Sequence, residues 1–308
     1  MPAQIIFGDI NTLDPAELRA VLKENNISRI DTAAVYQNGE SEKIIGRSHL
    51  PADFTIDTKI QIAGPAAGHL TPEKIDKSLA NSLEQLGMKK VNVIYCHIPD
   101  SETPIAEQAK AFNDQYVKDR FTHLGVCNFS PRMLQEWLNI AEKEGYVKPT
   151  WFQGQYNLLC RSYEDELFPL LRKHGIHFAG YSPLAGGFLL GNFTQEGVQA
   201  GKRFTMGLPY NKWYDHASMH KAFKELKTIS EKTGLGMDEL SFRWEKYHSA
   251  LKDDDVIIMG ASKIEQIGRS VKKAERGPLD SDVVKELNTL WDLVKEDGKH
   301  ITDFSLLC

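Results

Sequence analysis

The sequence alternates short apolar runs with longer amphipathic segments, at a spacing of roughly 30 residues. This alternation is typical of βαβ units, in which a helix connects each strand to the next parallel strand. Eight apolar runs are candidate strands, and together they predict an α/β fold. The candidate strands are Ile5–Gly8, Ser28–Asp31, Phe54–Lys59, Val91–His97, Phe121–Cys127, Thr150–Gln155, His177–Tyr181 and Val256–Met259.

Capping and turn residues mark most of the helices predicted between these strands. Thr71-Pro72 and Ser130-Pro131 each place a hydroxyl cap before a proline, which is favourable in the first helical turn. Gly175 is a natural C-cap because glycine adopts the left-handed conformation easily. The predicted helices are Pro15–Lys23, Glu40–Arg47, Lys74–Leu86, Met133–Lys143, Glu164–His174 and an extra C-terminal helix, Asp280–Lys295.

Eight such units predict one closed (β/α)₈ TIM barrel that spans residues 1–308 as a single domain. The runner-up is an open, doubly wound sheet, which needs a glycine-rich turn after its first strand. The segment Phe7–Asn11 contains a single glycine, so the closed barrel is favoured. Roughly seventy residues separate Tyr181 from Val256, which predicts a long loop after strand 7, and such loops are usually functional.

Charge and cysteine content exclude several function classes. The chain has 37 basic and 42 acidic residues and a net charge of -5, which disfavours nucleic-acid and anionic-membrane partners. No apolar run reaches the roughly 18 residues of a membrane span, and the N-terminus does not resemble a signal peptide. The 4 cysteines are far apart and form no C-x-x-C pair, so we expect neither disulfides nor a zinc site. These features predict a cytoplasmic protein.

Four polar side chains stand at or just after the ends of three successive predicted strands: Asp31, Tyr36, Lys59 and His97. Each has an ordinary explanation by itself, as a helix cap, a rim aromatic, a solvated lysine or a core histidine. In a barrel, however, the carboxyl ends of the strands carry the chemistry. A buried lysine needs an anionic partner, which Asp31 can supply, and its charge would lower the pKa of Tyr36. His97 would orient a carbonyl oxygen, so the set predicts protonation of a developing alkoxide, as in carbonyl reduction.

Asp31-Thr-Ala-Ala-Val-Tyr36, with Lys59 and His97, resembles the catalytic tetrad of the aldo-keto reductases. Further similar motifs extend over most of the chain, and their order and spacing make the resemblance specific. They are Gly125–Ser130, Phe152–Asn157, Tyr181–Gly187 and Met259–Ser270. The branch that it most resembles is that of the aflatoxin-aldehyde and succinic-semialdehyde reductases, through His97–Asp100, Pro149–Asn157, Tyr181–Gly187 and Glu275–Leu279. The resemblance implies a (β/α)₈ barrel, NADPH as cofactor, no metal, and Tyr36 as proton donor.

The resemblance also implies where the cofactor is held. Asn128 and Gln153 would bind the nicotinamide carboxamide, Tyr181 would stack on the ring, and the loop after Tyr181 would wrap the pyrophosphate. Lys263 and Arg269 would hold the 2′-phosphate, with a solvated helix face as the alternative explanation for both. The predicted cofactor-binding residues are Asp31, Cys127, Asn128, Gln153, Tyr181, Ser182, Pro183, Leu184, Gly186, Gly187, Gly191, Arg203, Ser262, Lys263, Gln266, Arg269 and Ser270.

A small-molecule carbonyl compound is the predicted partner, and the predicted substrate-binding residues are His97, Tyr210, Lys212 and Trp213. Trp213 and Tyr214 either line the pocket or anchor the long loop. The sequence also departs from the family pattern: Cys127 replaces the usual serine, Arg269 and Ser270 stand where amides are typical, the first loop after Gly8 is short, and Ile301–Cys308 lacks the terminal arginine of relatives that bind carboxylates. Apolar or aromatic aldehydes are therefore favoured over succinic semialdehyde.

Two other functions stay open at this point. One is a cofactor-sensing binding protein with little turnover, like the potassium-channel β subunits, and the other is a metal-independent barrel hydrolase or isomerase. The tetrad match favours the reductase over both. The chain is expected to be a monomer or a homodimer.

Overall fold

Eight parallel strands close into a barrel in sequence order, β1 to β8, and β8 pairs with β1. The computed structural model describes residues 2–8, 13–61, 68–193 and 209–302. The predicted (β/α)₈ barrel is confirmed, and each strand lies within one residue of its predicted limits. The strands are β1 Gln4–Gly8, β2 Arg29–Asp31, β3 Thr55–Lys59, β4 Val91–Cys96, β5 Phe121–Cys127, β6 Pro149–Gln155, β7 His177–Tyr181 and β8 Val256–Met259.

Helices surround the barrel, and local caps define where several of them begin. The Asp14 carboxylate accepts from the backbone of Ala16 and Glu17, and Thr71 and Ser130 cap their helices in the same way. The described helices are α1 Pro15–Glu24, α2 Glu40–Arg47, α3 Pro72–Leu86, α4 Ile105–Val117, α5 Pro131–Glu144, α6 Leu167–His174, α7 Tyr210–Tyr214, α8 Ala217–Thr233, α9 Met237–His248, α10 Ile264–Ala274 and α11 Ser281–Gly298.

The helix prediction was incomplete in three places. The predicted helix Glu164–His174 begins only at Leu167, because Pro169 is tolerated only in the first turn, and a separate 3₁₀ turn, Ser162–Glu164, precedes it. The predicted loop between β7 and β8 contains α7, α8 and α9, so that much of this connection is helical. Helix α4 was also missed, since its alanine-rich inner face gives a weak hydrophobic period. The extra C-terminal helix is present as α11.

Two apolar layers make up the core. Strand residues that point inward fill the barrel lumen, among them Val93, Tyr95, Trp151 and Ile258. Residues on the outer face of the strands pack against the helices, as expected for a parallel sheet covered by helices. Among the described residues, no helix has the length and apolar character to cross a membrane.

Asp100, in the loop after β4, ties that loop to the one that leads into α3. Its carboxylate accepts from the backbone N–H of Gly68 at 2.7 Å and of Leu70 at 2.8 Å, and from the Thr103 hydroxyl at 2.8 Å. Burial raises the pKa of Asp100, but these hydrogen bonds lower it by more, to about 2. The carboxylate therefore joins two loops at the carboxyl end of the barrel.

Replacing Asp100 with asparagine removes the charged acceptor while keeping the side-chain volume. We expect Asp100→Asn to lower the free energy of unfolding by about 1–3 kcal/mol at neutral pH, measured by urea denaturation. The loss should shrink with acid, because the carboxylate's contribution is complete above its ordinary pKa of 3.8 and disappears as the pH falls toward 2. Hydrogen exchange at Gly68 and Leu70 should accelerate. Asp119→Asn, which removes an exposed ion pair with Lys90, is the control, and equal effects of the two changes would contradict this account.

Glu245, on α9, is a buried carboxyl group that, unlike Asp100, has no hydrogen bonds from the described residues to stabilise a negative charge. Both of its oxygens are buried and lack a hydrogen-bond partner within the described ranges. Burial raises the pKa of Glu245 well above 4.5. The folded state thus keeps a proton that the unfolded chain releases, so this group makes the free energy of unfolding fall as the pH rises above 4.5.

Glu245→Gln removes this titration, since the amide stays neutral at every pH. We expect the variant to gain about 1 kcal/mol or more over the native protein at about pH 8, and little at about pH 4.5. Urea unfolding at both pH values measures the difference. A gain that does not depend on pH would contradict the assignment of a buried, protonated carboxyl group.

Candidate active site

Lys59 is the centre of a buried polar cluster at the carboxyl ends of β2 and β3. Its ammonium group donates to Asp31 Oδ2 at 2.6 Å and to the carbonyl oxygen of Thr32 at 2.7 Å. One N–H is left for the site, where the centre of the Tyr36 ring lies 4.8 Å from Nζ. Burial lowers the pKa of Lys59, but Asp31, Tyr36 and Cys127 together raise it by more, so the amine remains charged.

Asp31 is held on both of its carboxylate oxygens. Oδ2 accepts from Lys59, and Oδ1 accepts from Gln153 Nε2 at 2.8 Å. Gln153 is on β6, on the opposite side of the barrel from β2, so this hydrogen bond crosses the lumen. Because Asp31 is only 2% exposed, these two partners determine where its charge sits.

Tyr36 and His97 meet edge to face above this ion pair, with ring centroids 5.9 Å apart. His97 Nδ1 is buried and has no hydrogen-bond partner in the part of the chain that the structure describes. Burial, with the nearby charge of Lys59, lowers the pKa of His97 well below 6.5. A neutral imidazole can donate a hydrogen bond to a carbonyl oxygen but is a poor proton donor. The Tyr36 ring, next to the Lys59 ammonium group, lies on the other side of the same opening.

The first turn of α2 supports the two strand ends from outside the barrel. The hydroxyls of Ser41 and Thr32 lie 2.8 Å apart, and Thr58 donates to Glu42 Oε1 at 2.5 Å. Both contacts are buried, and burial raises the pKa of Glu42. None of these four residues was predicted from the sequence. The signal for them was a threonine beside each charged tetrad member, Asp31-Thr32 and Thr58-Lys59.

Asn128 follows the end of β5, and Tyr181 is the last residue of β7. Both lie on the other side of the same opening. The Tyr181 hydroxyl donates to Asn128 Oδ1 at 3.0 Å, and Asn128 Nδ2 donates to the carbonyl oxygen of His97 at 3.3 Å. Cys127 faces the lumen, and burial raises the pKa of its thiol well above 9.0, so it is neutral. The predicted nicotinamide-binding residues Cys127, Asn128, Gln153 and Tyr181 therefore come together next to the tetrad.

The segment after β7 curls tightly, because several residues have positive φ, including Ser182 at 58° and Gly187 at 103°. A Cβ on Gly186 would lie 2.5 Å from the Tyr210 ring, so this position has no room for a side chain. The hydroxyls of Ser182 and Tyr210 lie 2.9 Å apart, which fixes the segment against α7. The other predicted pyrophosphate-loop residues, Pro183, Leu184 and Gly191, lie in the same turn.

The predicted substrate residues on helix α7 differ in how far they are buried. Tyr214 is completely buried, and its hydroxyl accepts from Gln155 at 2.5 Å and from Asn157 at 3.2 Å, so it anchors the helix to the end of β6. Tyr210 is also buried, Trp213 is half-buried against it, and Lys212 is exposed. Arg203 lies outside the described residues.

The predicted phosphate residues lie at the start of α10 and within its first two turns. Ser262, Lys263 and Arg269 are exposed, and Gln266 and Ser270 are partly exposed. Gln266 Oε1 accepts from the backbone of Ser262 and Lys263 at 3.1 Å and 3.2 Å. A helix N-terminus with two cationic side chains favours an anion. Since β8 neighbours β7, α10 begins on the same rim as the segment after Tyr181.

These features fit a nicotinamide dinucleotide. The strand ends supply amide groups for a carboxamide, the turn after β7 has no space for side chains at Gly186 and Gly187, and the α10 N-terminus supplies positive charge. His97 Nδ1, which is buried without a partner among the described residues, marks the opening beside Tyr36 as a place for further polar contacts. Within those ranges, no group of three or more His, Cys, Asp or Glu side chains is placed to hold a metal ion.

Comparison with known proteins agrees with this arrangement. The profile of the aldo/keto reductase family matches residues 11–292. The chain is 34% identical over 298 residues to oxidoreductase sirO of Leptosphaeria maculans, covering 95% of this chain and 90% of that protein. It is 33% identical over 299 residues to aflatoxin B1 aldehyde reductase member 2 of Rattus norvegicus, covering 92% and 81%.

Two further likenesses are weaker. A probable voltage-gated potassium channel subunit beta of Arabidopsis thaliana is 29% identical over 296 residues, covering 92% of this chain and 88% of that protein. The glycerol dehydrogenase AKR11B4 from Gluconobacter oxydans shares the fold, with a TM-score of 0.73 at 22% identity over 93% of this chain and 90% of that one. The family profile and the relatives above 30% identity decide the question: the chain belongs to the aldo/keto reductase family of oxidoreductases.

Proposed function

We propose that the protein reduces aldehydes to alcohols with NADPH, and that Tyr36 is the proton donor. The observation that carries the proposal is the buried Asp31–Lys59 ion pair, 2.6 Å long, with Tyr36 next to the ammonium group. A lysine held charged in this way stabilises a phenolate, so the tyrosine can release its proton near neutral pH.

The chemistry divides between cofactor and protein. Bound NADPH supplies a hydride to the carbonyl carbon. Tyr36 gives its hydroxyl proton to the carbonyl oxygen, Lys59 stabilises the resulting phenolate, and Asp31 keeps Lys59 in place. The neutral His97 imidazole donates a hydrogen bond to the same oxygen and orients the carbonyl group. Solvent then returns a proton to Tyr36.

The residues that hold the cofactor are proposed from their positions. Asn128 and Gln153 bind the carboxamide, Tyr181 stacks on the nicotinamide ring, and the turn after β7 wraps the pyrophosphate. At the N-terminus of α10, Lys263 and Arg269 hold the 2′-phosphate, which is why we propose NADPH over NADH. His97, Tyr210, Lys212 and Trp213 remain the proposed substrate contacts.

Aldehydes without a carboxylate are the proposed substrates. The rat relative is named an aflatoxin B1 aldehyde reductase, which supports an apolar or aromatic aldehyde. Residues 303–308 lie outside the described residues. The absence of nucleic-acid partners, the cytoplasmic location and the monomeric or homodimeric state stay predictions from the sequence.

Tyr36→Phe removes the proposed proton donor without changing the ring. We expect the rate of NADPH oxidation with aromatic and aliphatic aldehydes to fall by about 10²–10⁴-fold, while NADPH affinity, measured by fluorescence quenching, stays within about threefold of the native value. Tyr116→Phe, at a tyrosine that is 44% exposed, is the matched control and should keep full activity.

The same assay separates the reductase from the binding-protein alternative. The reductase is supported if turnover is lost in Tyr36→Phe but kept in the native protein and in Tyr116→Phe. A native protein that binds NADPH but reduces no aldehyde in the panel would overturn the reductase proposal and favour a cofactor-sensing module.

Lys263→Met with Arg269→Met removes the proposed phosphate contacts. We expect KM for NADPH to rise about tenfold or more, while KM for NADH changes by less than about twofold, since NADH has no 2′-phosphate. Lys272→Met, which removes an exposed lysine from the same helix, is the control. Parallel changes for both cofactors would show that these side chains do not contact the 2′-phosphate.

A further inference from the structure

A second ion pair lies inside the barrel, one layer below Asp31 and Lys59. Arg29 Nε donates to Asp57 Oδ2 at 2.5 Å, and the two side chains are 13% and 0% exposed. The Arg29 guanidinium group stacks on the Trp151 ring at 4.1 Å. Trp151 is on β6, opposite β2, so this contact crosses the lumen, as the Gln153–Asp31 bond does one layer above.

Asp57 is held as an ionised carboxylate by contacts on both oxygens. Besides Arg29, it accepts from Asn92 Nδ2 at 2.7 Å and from the Val93 N–H at 3.2 Å. Burial raises the pKa of Asp57 to about 6, with Arg29 acting to lower it and Asp31 to raise it. The carboxylate is therefore charged at neutral pH.

The two ion pairs are stacked so that like charges meet in the middle. Asp31 and Asp57 are Cα partners across β2 and β3, which places two carboxylates side by side. Arg29 lies below them and Lys59 above them. With a rise of about 3.3 Å per residue, Asp57 is roughly 7 Å below Lys59. At this spacing inside a protein, a change of one unit charge in the lower pair is felt in the upper pair.

The other titratable groups around the two pairs are neutral above pH 7 or lie farther from the lumen. Burial raises the pKa of Tyr95 well above 10.0. Burial and Arg29 lower the pKa of His123, and His97 is neutral for the reason given above. The outer groups are four. His177 and Lys90 interact with His123, and His69 interacts with His97. Glu42 faces Lys59 from α2.

We propose that Arg29 and Asp57 are positioning residues for Tyr36: by neutralising each other next to Asp31, they leave Lys59 as the cationic partner of Asp31 and thereby set the acidity of Tyr36. The inference rests on the proposed function, in which Tyr36 donates the proton. Neither side chain touches the reacting atoms, so their effect passes through Asp31 and Lys59.

The stacking gives each substitution a predicted sign. If Asp57 loses its charge, Arg29 is left unpaired beneath Asp31, where it competes with Lys59 and adds positive potential that favours the phenolate. If Arg29 loses its charge, Asp57 is held ionised less strongly, and over the pH range in which it is ionised two neighbouring carboxylates share one cation, which disfavours the phenolate. If both side chains are neutral, the lower layer again has no net charge, and Tyr36 titrates at the same pH as in the native protein.

The test follows Tyr36 directly, by NMR titration of protein labelled with ¹³Cζ-tyrosine, its resonance identified by its loss in Tyr36→Phe. We expect Tyr36 in Asp57→Asn to titrate about one pH unit lower than in the native protein. Tyr36 in Arg29→Met should titrate at a higher pH than in the native protein. This variant still tests the proposal if Asp57→Asn does not fold. The double variant Arg29→Met/Asp57→Asn should titrate within about 0.3 units of the native protein.

The matched control is Asp255→Asn, at a carboxylate that is likewise buried and paired with an arginine, Arg172 at 2.5 Å, but lies before β8 at the other end of the barrel. It should destabilise the fold without moving the Tyr36 titration. The proposal is overturned if Asp57→Asn leaves the titration unchanged, or if the double variant stays shifted like the single one.

The pH dependence of kcat for aldehyde reduction separates this inference from the proposed function. If the native enzyme turns over aldehydes but no variant shifts the NMR titration of Tyr36 or the pH dependence of kcat, the proposed function stands and this inference is contradicted. Shifted titrations in a protein that reduces no aldehyde support the electrostatic coupling and contradict the reductase.

Discussion

The ion pair between Asp31 and Lys59 is the constraint around which the carboxyl end of the barrel is arranged. Transferring two charges out of water carries a large desolvation penalty, which is offset only by close geometry and by hydrogen bonds to the remaining polar atoms. Both conditions hold here. Asp31 uses one oxygen for Lys59 and the other for Gln153, and Lys59 also donates to a backbone carbonyl.

These requirements explain why residues from distant parts of the chain converge. Gln153 reaches Asp31 from the opposite wall of the barrel, and α2 supports the strand ends through Ser41 and Glu42. Asp100 joins the loops after β3 and β4, beside His97. The site is therefore held by a scaffold that leaves one ammonium proton and two aromatic rings facing the opening. Such preorganisation is what the proposed proton transfer from Tyr36 requires.

Part of the barrel interior carries charged groups where a purely structural barrel would be apolar. Below the site, Arg29, Asp57 and Trp151 fill a layer that aliphatic side chains usually occupy in this fold. Neutral aliphatic residues of similar volume are often at least as stabilising as a buried ion pair. A second ion pair directly beneath the first therefore favours an electrostatic role for Arg29 and Asp57 over a purely structural one.

Local patterns in the sequence determined the strands, the capped helices and the closed barrel, because hydrophobic period and capping depend on residues that are near in sequence. They also placed Asp31, Tyr36, Lys59 and His97 at one end of the barrel, since parallel strands bring their carboxyl ends together. The helices between β7 and β8 were missed because glycines dominate the first part of that connection. Only the tertiary structure decided the contacts across the lumen, Gln153 with Asp31 and Arg29 with Trp151, since these depend on the strand register and shear that set which side chains face each other.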